Sequence, residues 1–389
     1  MKSRFYSESF VKVLIVDLSR DFGGASSRVL SLLRYLPAGQ VGFVGLENSP
    51  VSLAAKKLSI PVHCISSSKV KPIILWRLIK IIRQGGYQVI DTHNIQSKLW
   101  GSMAAIVTGK ALVSTLHSWY GSEHKSNSWR GRFYTHLEKH TNSKLSLYIT
   151  VAKTIKEALL ESGFQSSKVE LIHNAVFIDS VAIPEYKKQL DVQFAIPGSS
   201  TIFTAVGRLV PVKGYGALIR SFREVAFRYP DSYCLIVGDG ELRKELNEII
   251  QENELQNKVY LLGYCDHNTV LSIIKSSDVF VMPSQSEGTP IALLEAAALG
   301  KAIIASDVGG IPELVSNGEH AILIPPSDHE ALIQALIKFA DNQNLRDAYG
   351  KRAQQRVQEK FDIDTMINST YEAYKKAWKL HQTQKKSSS

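Results

Sequence analysis

Apolar and polar positions along the chain fall into two alternating textures. Short runs rich in Val, Ile and Leu recur at residues 11–16, 41–46, 88–92, 112–116, 147–150 and 169–172. Among them lie longer stretches whose apolar positions repeat every three or four residues, at 26–35, 73–84, 100–107, 130–139 and 153–162. The short runs predict strands buried on both faces, and the longer period predicts helices. Their alternation predicts a parallel sheet with crossover helices. The pattern breaks from Asp179 to Ser200, where Pro184, a polar run and Pro197-Gly198-Ser199-Ser200 read as a linker. It then restarts, with strands predicted at 202–206, 233–237, 259–262, 279–282, 302–305 and 321–324. Helices are predicted at 216–228, 241–251, 269–275, 290–299, 330–341 and 345–360. The fold class is therefore α/β: two doubly wound, Rossmann-like domains, residues 1–180 and 181–362, expected to face each other across a cleft. Residues 363–389 add a helix from Ile363 to Leu380, expected to return to the first domain on Tyr371, Tyr374 and Trp378. The end, Gln384 to Ser389, is expected to be disordered.

Composition narrows the class. A chain of 389 residues is too long for one ordinary core and fits two domains. No apolar run is long enough to cross a bilayer. The first one, Val11 to Leu18, contains Lys12 and Asp17, which makes it a strand and not a signal-peptide core. Three widely spaced cysteines, Cys64, Cys234 and Cys265, suggest reduced thiols in a cytoplasmic setting. No Cys/His cluster has metal-ligand spacing. The charge is uneven: residues 1–180 carry 23 Lys/Arg against 11 Asp/Glu, and the remainder 23 against 25, so the net +10 belongs to the first part. That excess suits an anionic membrane surface or a phosphorylated glycan, and it equally serves solubility. No aromatic-plus-basic signature points to nucleic acid. Residues 73–84 combine Trp76 and seven Ile or Leu positions with Arg77, Lys80 and Arg83. They read either as a packed crossover helix whose cationic stems cover apolar surface or as a helix lying on a membrane.

Ligands of doubly wound sheets bind beyond the C-terminal ends of the strands, so chemistry is sought there. After the strand at 279–282 comes Ser284-Gln285-Ser286-Glu287-Gly288-Thr289-Pro290 and then a helix carrying Glu295. Pro290 suits the first helical position and Thr289 the cap before it. A helix start offers unpaired N–H groups to a phosphate. A carboxylate there, Glu287, needs another task, and holding sugar hydroxyls is one. Gly207-Arg208-Leu209-Val210-Pro211-Val212-Lys213-Gly214 closes the first strand of the second domain. Gly207 lets a ligand approach the backbone, and the two cations suit a diphosphate. Read alone, they are equally surface cations beside a turn. Gly238-Asp239-Gly240 is a helix-capping turn or a nucleotide contact. Gly23-Gly24 before the helix at 26–35 is a flexible turn or a close approach to an anion, and it lacks the third glycine of a dinucleotide fingerprint. His93 and His117 each end a strand. His117 is the stronger candidate for a sugar contact, because the polar segment 118–128 that follows it can line an acceptor pocket.

Taken together, the Glu287–Glu295 pair, Gly207-Arg208 with Lys213-Gly214, Gly238-Asp239-Gly240 and Gly309-Gly310-Ile311-Pro312-Glu313 resemble, in order and spacing, the retaining glycosyltransferases of family 4, which have the GT-B fold. The likeness extends over nearly the whole chain, more loosely at Gly23-Gly24 and Thr115-Leu116-His117. Ala175 stands in Asn174-Ala175-Val176 where the family often has glycine, and Ala152 where it often has serine. The resemblance implies a nucleotide-sugar donor and a glycan or lipid-linked acceptor in cell-surface polysaccharide or lipopolysaccharide synthesis. It implies a place in the cytoplasm, with or without attachment to the inner face of the plasma membrane. It implies that Arg208 and Lys213 hold the donor diphosphate. Glu287, with Gly288 and Thr289, holds the sugar hydroxyls, and Glu295 the ribose. Gly24 approaches the diphosphate, and His117 contacts the transferred sugar. Two cations and a helix start meet the leaving group, so no metal and no cofactor are strictly required, and retention of configuration without a carboxylate nucleophile suggests front-side attack. A nucleotide-sugar epimerase, a phosphorylase or a binding protein without turnover would share the same fold.

Overall fold

The computed structural model describes residues 10–20, 23–37, 39–66, 72–117, 145–178 and 180–387. They form two compact units. One takes the chain up to Asn174 together with the stretch from Asp364 on, and the other is Ala175–Ile363.

The first unit is built on a parallel sheet of seven strands: β1 (Val13–Asp17), β2 (Val41–Gly45), β3 (Val62–Cys64), β4 (Val89–Thr92), β5 (Ala111–Leu116), β6 (Leu147–Thr150) and β7 (Val169–Leu171). Their order is β3-β2-β1-β4-β5-β6-β7. Every residue of β1, β2, β4, β5 and β6 is buried, which is why these strands read as unbroken apolar runs. The order reverses between β1 and β4, and the carboxyl ends of these two strands, at Asp17 and Thr92, therefore flank the crevice where such sheets take ligands. The helix Ile95–Thr108 starts there: the Asn94 side chain accepts the Ser97 amide at 2.8 Å, and Gly109 ends it in a left-handed turn. The helix Ile73–Gly85 buries Ile74, Leu78 and Ile82 and leaves Trp76 60% exposed, with Lys80 over its ring. It packs as a crossover helix and still shows an aromatic and cationic outer face.

The last helix, Ile363–Ser387, belongs to this unit from Asp364 on. Tyr371 Oη accepts the Val11 amide at 3.1 Å, Tyr374 Oη donates to Asp91 at 2.6 Å, and Lys376 Nζ donates to Glu170 at 2.5 Å. The helix runs past Gln384 to Ser387, so this stretch of the expected disordered tail is helical.

The second unit carries six parallel strands: β8 (Thr201–Val206), β9 (Ser232–Val237), β10 (Val259–Gly263), β11 (Val279–Met282), β12 (Ala302–Ser306) and β13 (Ile322–Ile324). Their order is β10-β9-β8-β11-β12-β13, with the reversal between β8 and β11. Phe203, Phe222 and Phe339 centre the core on one side of the sheet, and Phe280, Leu293 and Ile303 on the other.

Departures from the sequence expectation include the short helices Pro50–Ala55 and Ile311–Leu314, where none was expected. β3 was not expected; it is short and only half-buried, and it lacks a long apolar run. The stretch expected to be a linker holds the helix Lys187–Phe194, because Leu190 and Ile196 bury against Ile202, Tyr233 and Leu235 of the second unit. The unit boundary therefore lies at Asn174, ahead of the expected residue 180. Finally, Pro290 caps the helix Ile291–Ala298 in an extended conformation instead of occupying its first turn. The helix expected at 130–139 lies outside the described residues.

Candidate active site

In the second unit, the loops after β8 and β11 come together at the point where strand order reverses. Gly214, at φ +69°, has its Cα so close to the Pro283 carbonyl that a Cβ would lie 2.2 Å from that oxygen. The Gln285 amide donates to the Val212 carbonyl at 2.8 Å. These contacts seat Lys213 over the Glu287 loop. Lys213 Nζ donates to Glu287 Oε1 at 2.6 Å, and Ser284 Oγ donates to the same oxygen at 2.6 Å. The lysine side chain is 20% exposed and the glutamate side chain 9%. An ammonium group has three donors. One is used here, and Glu287 Oε2 has no partner among the described residues. The pair therefore holds both groups in place while leaving each with capacity for a ligand.

The Glu287 loop is fixed from behind by Gly309-Gly310. A Cβ on Gly309, at φ +56°, would meet the Glu287 carbonyl oxygen at 1.8 Å, and the Gly310 amide donates to the Gly288 carbonyl at 3.0 Å. Gly288 and the buried Thr289 lead into the helix Ile291–Ala298, whose first turn has no side-chain cap. Its N–H groups are thus available to an anion. Farther along, Glu295 is buried, and its Oε1 pairs with His267 Nε2 at 2.7 Å.

The remaining second-unit candidates frame this point. Gly207, at the end of β8, has Tyr215 Oη and the Lys213 stem lying across it. Arg208 is exposed, with no ion pair or hydrogen bond from its side chain among the described residues. Gly238 and Gly240 pack against the Gly207 and Leu209 backbone, and the Leu209 amide donates to the Asp239 carbonyl at 3.0 Å. Their immediate role is to close two strand-end loops on each other. Tyr215 is a neighbour that sequence reasoning missed. It is buried, and burial, reinforced by the Glu287 charge, raises its phenol above the ordinary range.

In the first unit, Gly23 caps the helix Gly24–Tyr35, whose first turn has no side-chain cap. The space where a Gly23 side chain would lie is open. His117 closes β5, and its Nε2 lies 3.0 Å from His93 Nδ1. His93 Nε2 in turn lies 3.0 Å from Asp91 Oδ2, an oxygen that also accepts from Tyr374 Oη at 2.6 Å. Thr115 Oγ1 donates to Asp91 Oδ1 at 3.0 Å. His117 keeps part of its surface exposed, yet its ring lies among protein atoms. Burial above all holds its basicity well below the ordinary histidine range. Arg28 is buried and donates to the carbonyls of Ile172 and His173, to Asn174 Oδ1 and to Thr370 Oγ1. Burial lowers its pKa to about 10, against the opposing effects of Tyr374 and Asp91. Neither Asp91 nor Arg28 stands out in the sequence, since one lies within a strand and the other on a helix. The acceptor-pocket segment expected at 118–128 lies outside the described residues. Among the described residues no group of three His, Cys, Asp or Glu could hold a metal ion, and no helix is long and apolar enough to cross a membrane.

Residues 22–180 match the family model described as Glycosyltransferase Family 4, and residues 186–356 match Glycosyl transferases group 1. The UDP-Gal:alpha-D-GlcNAc-diphosphoundecaprenol alpha-1,3-galactosyltransferase of Escherichia coli is 28% identical over 381 residues, covering 95% of this chain and 97% of the relative. The phosphatidyl-myo-inositol mannosyltransferase of Mycolicibacterium smegmatis is 26% identical, covering 86% of each. Anabaena HepE, in a crystal structure with UDP and glucose, superposes with a TM-score of 0.81 at 21% identity, over 93% of this chain and 98% of that one, which shows a common fold. Two units of parallel sheet with ligand-ready strand ends, matched along nearly their whole length by these models, place the chain in glycosyltransferase family 4, as a glycosyltransferase of GT-B fold.

Proposed function

We propose that the protein moves a sugar from a nucleotide-sugar donor to a lipid-linked or glycan acceptor, with the anomeric configuration retained, in the building of a cell-surface polysaccharide or lipopolysaccharide. The observation that carries this reading is the Lys213–Glu287 pair at 2.6 Å, set at the strand-order reversal beside an uncapped helix start. Breaking the bond from sugar to nucleotide puts negative charge on a diphosphate and positive charge on the sugar ring. Lys213 and Arg208 meet the leaving diphosphate with fixed positive charge, together with the amides at the start of the helix Ile291–Ala298. Such groups stabilise the transition state more than the ground state and so raise the rate. Glu287 Oε2, with the Gly288 and Thr289 backbone, takes sugar hydroxyls. Glu295 takes the ribose hydroxyls through the oxygen not held by His267. Gly23 and Gly24, at the open start of their helix, are assigned to the diphosphate, and His117 is assigned to a sugar hydroxyl. With Glu287 engaged on hydroxyls, attack comes from the front side without a covalent sugar–enzyme intermediate and with no metal assigned a role.

The acceptor class is supported by two relatives, whose names specify a diphosphoundecaprenol-linked sugar and phosphatidyl-myo-inositol. A membrane-bound acceptor fits a chain whose positive excess lies in residues 1–180 and whose first unit exposes Trp76 beside Lys80. The protein is accordingly proposed to be cytoplasmic and peripheral on an anionic membrane surface. The test is incubation of the purified protein with labelled nucleotide sugars and a lipid-linked oligosaccharide extract. Label transferred to the lipid fraction, with the donor's anomeric configuration, is expected. Donor conversion without acceptor would replace the reading with an epimerase, and binding without any product would replace it with a non-catalytic protein.

A further inference from the structure

Behind His117 the first unit holds a line of hydrogen-bonding groups, Asp91 and His93, to which the reading above gives no role. Asp91 ends up buried with three donors directed at it: Thr115 Oγ1, Tyr374 Oη and His93 Nε2. His93 is 3% exposed and reaches His117 through its other ring nitrogen. The rings of His93 and His117 lie with centroids 5.3 Å apart and tilted by 32°, so the 3.0 Å contact between ring nitrogens is a lateral hydrogen bond and not a stack. Both line one small cavity with Lys98 and Thr115.

The chemistry of this line sets its direction. An ionised carboxylate only accepts, so the His93 nitrogen facing Asp91 carries a hydrogen. In neutral His93 the opposite nitrogen, Nδ1, is then bare and must accept. The hydrogen in the 3.0 Å contact therefore comes from His117 Nε2, which leaves His117 Nδ1 without one. No described residue bonds to that nitrogen. We propose that Asp91 and His93 are positioning residues that hold His117 in a single neutral tautomer, with Nδ1 presented as an acceptor for a sugar hydroxyl. This rests on the assignment of His117 to the transferred sugar. Charged and titratable groups reach the line from every element packed on it: Arg28 from the helix Gly24–Tyr35, Lys98 from the helix Ile95–Thr108 and Tyr374 from the last helix. The cations oppose a charged His117, and Tyr374 gives Asp91 a second donor that fixes its orientation. The sequence separation of Tyr374 from Asp91, 283 residues, makes the last helix part of the arrangement.

Two measurements test this. The first is the ¹⁵N spectrum of the histidine-labelled whole protein at neutral pH, with His117 assigned from His117→Gln. A bare-nitrogen shift at Nδ1 and a protonated one at Nε2 are expected, and the reverse pattern overturns the proposal whether or not any donor is known. The second compares His93→Leu with His93→Gln once transfer is measurable. Gln offers an acceptor to His117 and a donor to Asp91, and Leu offers neither. The expected result for His93→Leu is a fall in kcat of roughly 10- to 100-fold, as for other orienting partners, with nucleotide affinity unchanged, and His93→Gln should recover most of it. Equal losses in both variants, or no loss in His93→Leu, would overturn the positioning role. Absence of transfer in the wild type with every donor would instead count against the proposed function and leave the tautomer result standing.

Discussion

Replacing Lys213 by alanine separates a functional ion pair from a structural one. The ammonium sits 2.6 Å from a carboxylate whose side chain is only 9% exposed. Its loss strands Glu287 on a single remaining partner, Ser284. Removing one partner of a fully buried pair costs about 3–5 kcal/mol. Here the lysine is 20% exposed and Ser284 stays, so a loss of stability of about 1–3 kcal/mol is expected. Sequence alone would have left stability unchanged, because Lys213 there reads as a ligand-facing cation with no protein partner. The effect on rate is separate. If Lys213 neutralises the departing diphosphate, turnover should fall about 100- to 1,000-fold, as when one donor is removed from an oxyanion site. The double variant Lys213→Ala/Glu287→Gln replaces the stranded carboxylate with a neutral amide, so it should regain much of the lost stability while turnover stays low. Thermal denaturation and single-turnover transfer from a labelled nucleotide sugar, measured on the same three proteins, decide the matter. Wild-type turnover in Lys213→Ala, or recovery of turnover together with melting temperature in the double variant, would show that the pair is scaffold only.

Gly309→Ala forces a Cβ to within 1.8 Å of the Glu287 carbonyl at a positive φ. It should lower both stability, by more than about 1 kcal/mol, and turnover, read by denaturation and transfer assay. Arg28→Met leaves the Ile172 and His173 carbonyls, Asn174 and Thr370 without their shared donor. It should cost about 3 kcal/mol in denaturant unfolding, even though Arg28 is remote from the proposed donor site by sequence. His117 is held below its ordinary range in the folded state, so below about pH 6.5 the unfolded chain binds more protons. Its contribution to stability is therefore complete above that pH and declines as pH falls, by at most about 1.4 kcal/mol per unit. His117→Gln should flatten this part of the curve, and an unchanged curve would exclude the burial described for the ring.

Much of the fold was legible because buried parallel strands are continuous apolar runs. β1, β4, β6, β8 and β11 could be placed almost to the residue on that basis. β3, with only half-buried residues, and the helix Lys187–Phe194, with one buried anchor in Leu190, carry too little pattern to be seen. At the candidate site, Lys213 and Glu287 were legible as polar residues at strand ends, and strand order then brings the two ends together. Their pairing was not legible, because it depends on Gly214 packing on Pro283 and Gly309 on Glu287. Asp91 was hidden for a different reason: its partners His93, Thr115 and Tyr374 come from three separate parts of the chain. Arg28 reads as an ordinary helix cation and is in fact buried between the first helix, the end of β7 and the last helix.

The central claim is that the ends of β8 and β11 form the seat of an activated sugar's diphosphate. A crystal structure with a nucleotide sugar or its nucleoside diphosphate tests it most directly. The expected result is diphosphate oxygens within hydrogen-bonding distance of Lys213 Nζ and the Arg208 guanidinium, with a sugar hydroxyl on Glu287. A diphosphate bound elsewhere, with the Lys213–Glu287 pair untouched, would contradict the account.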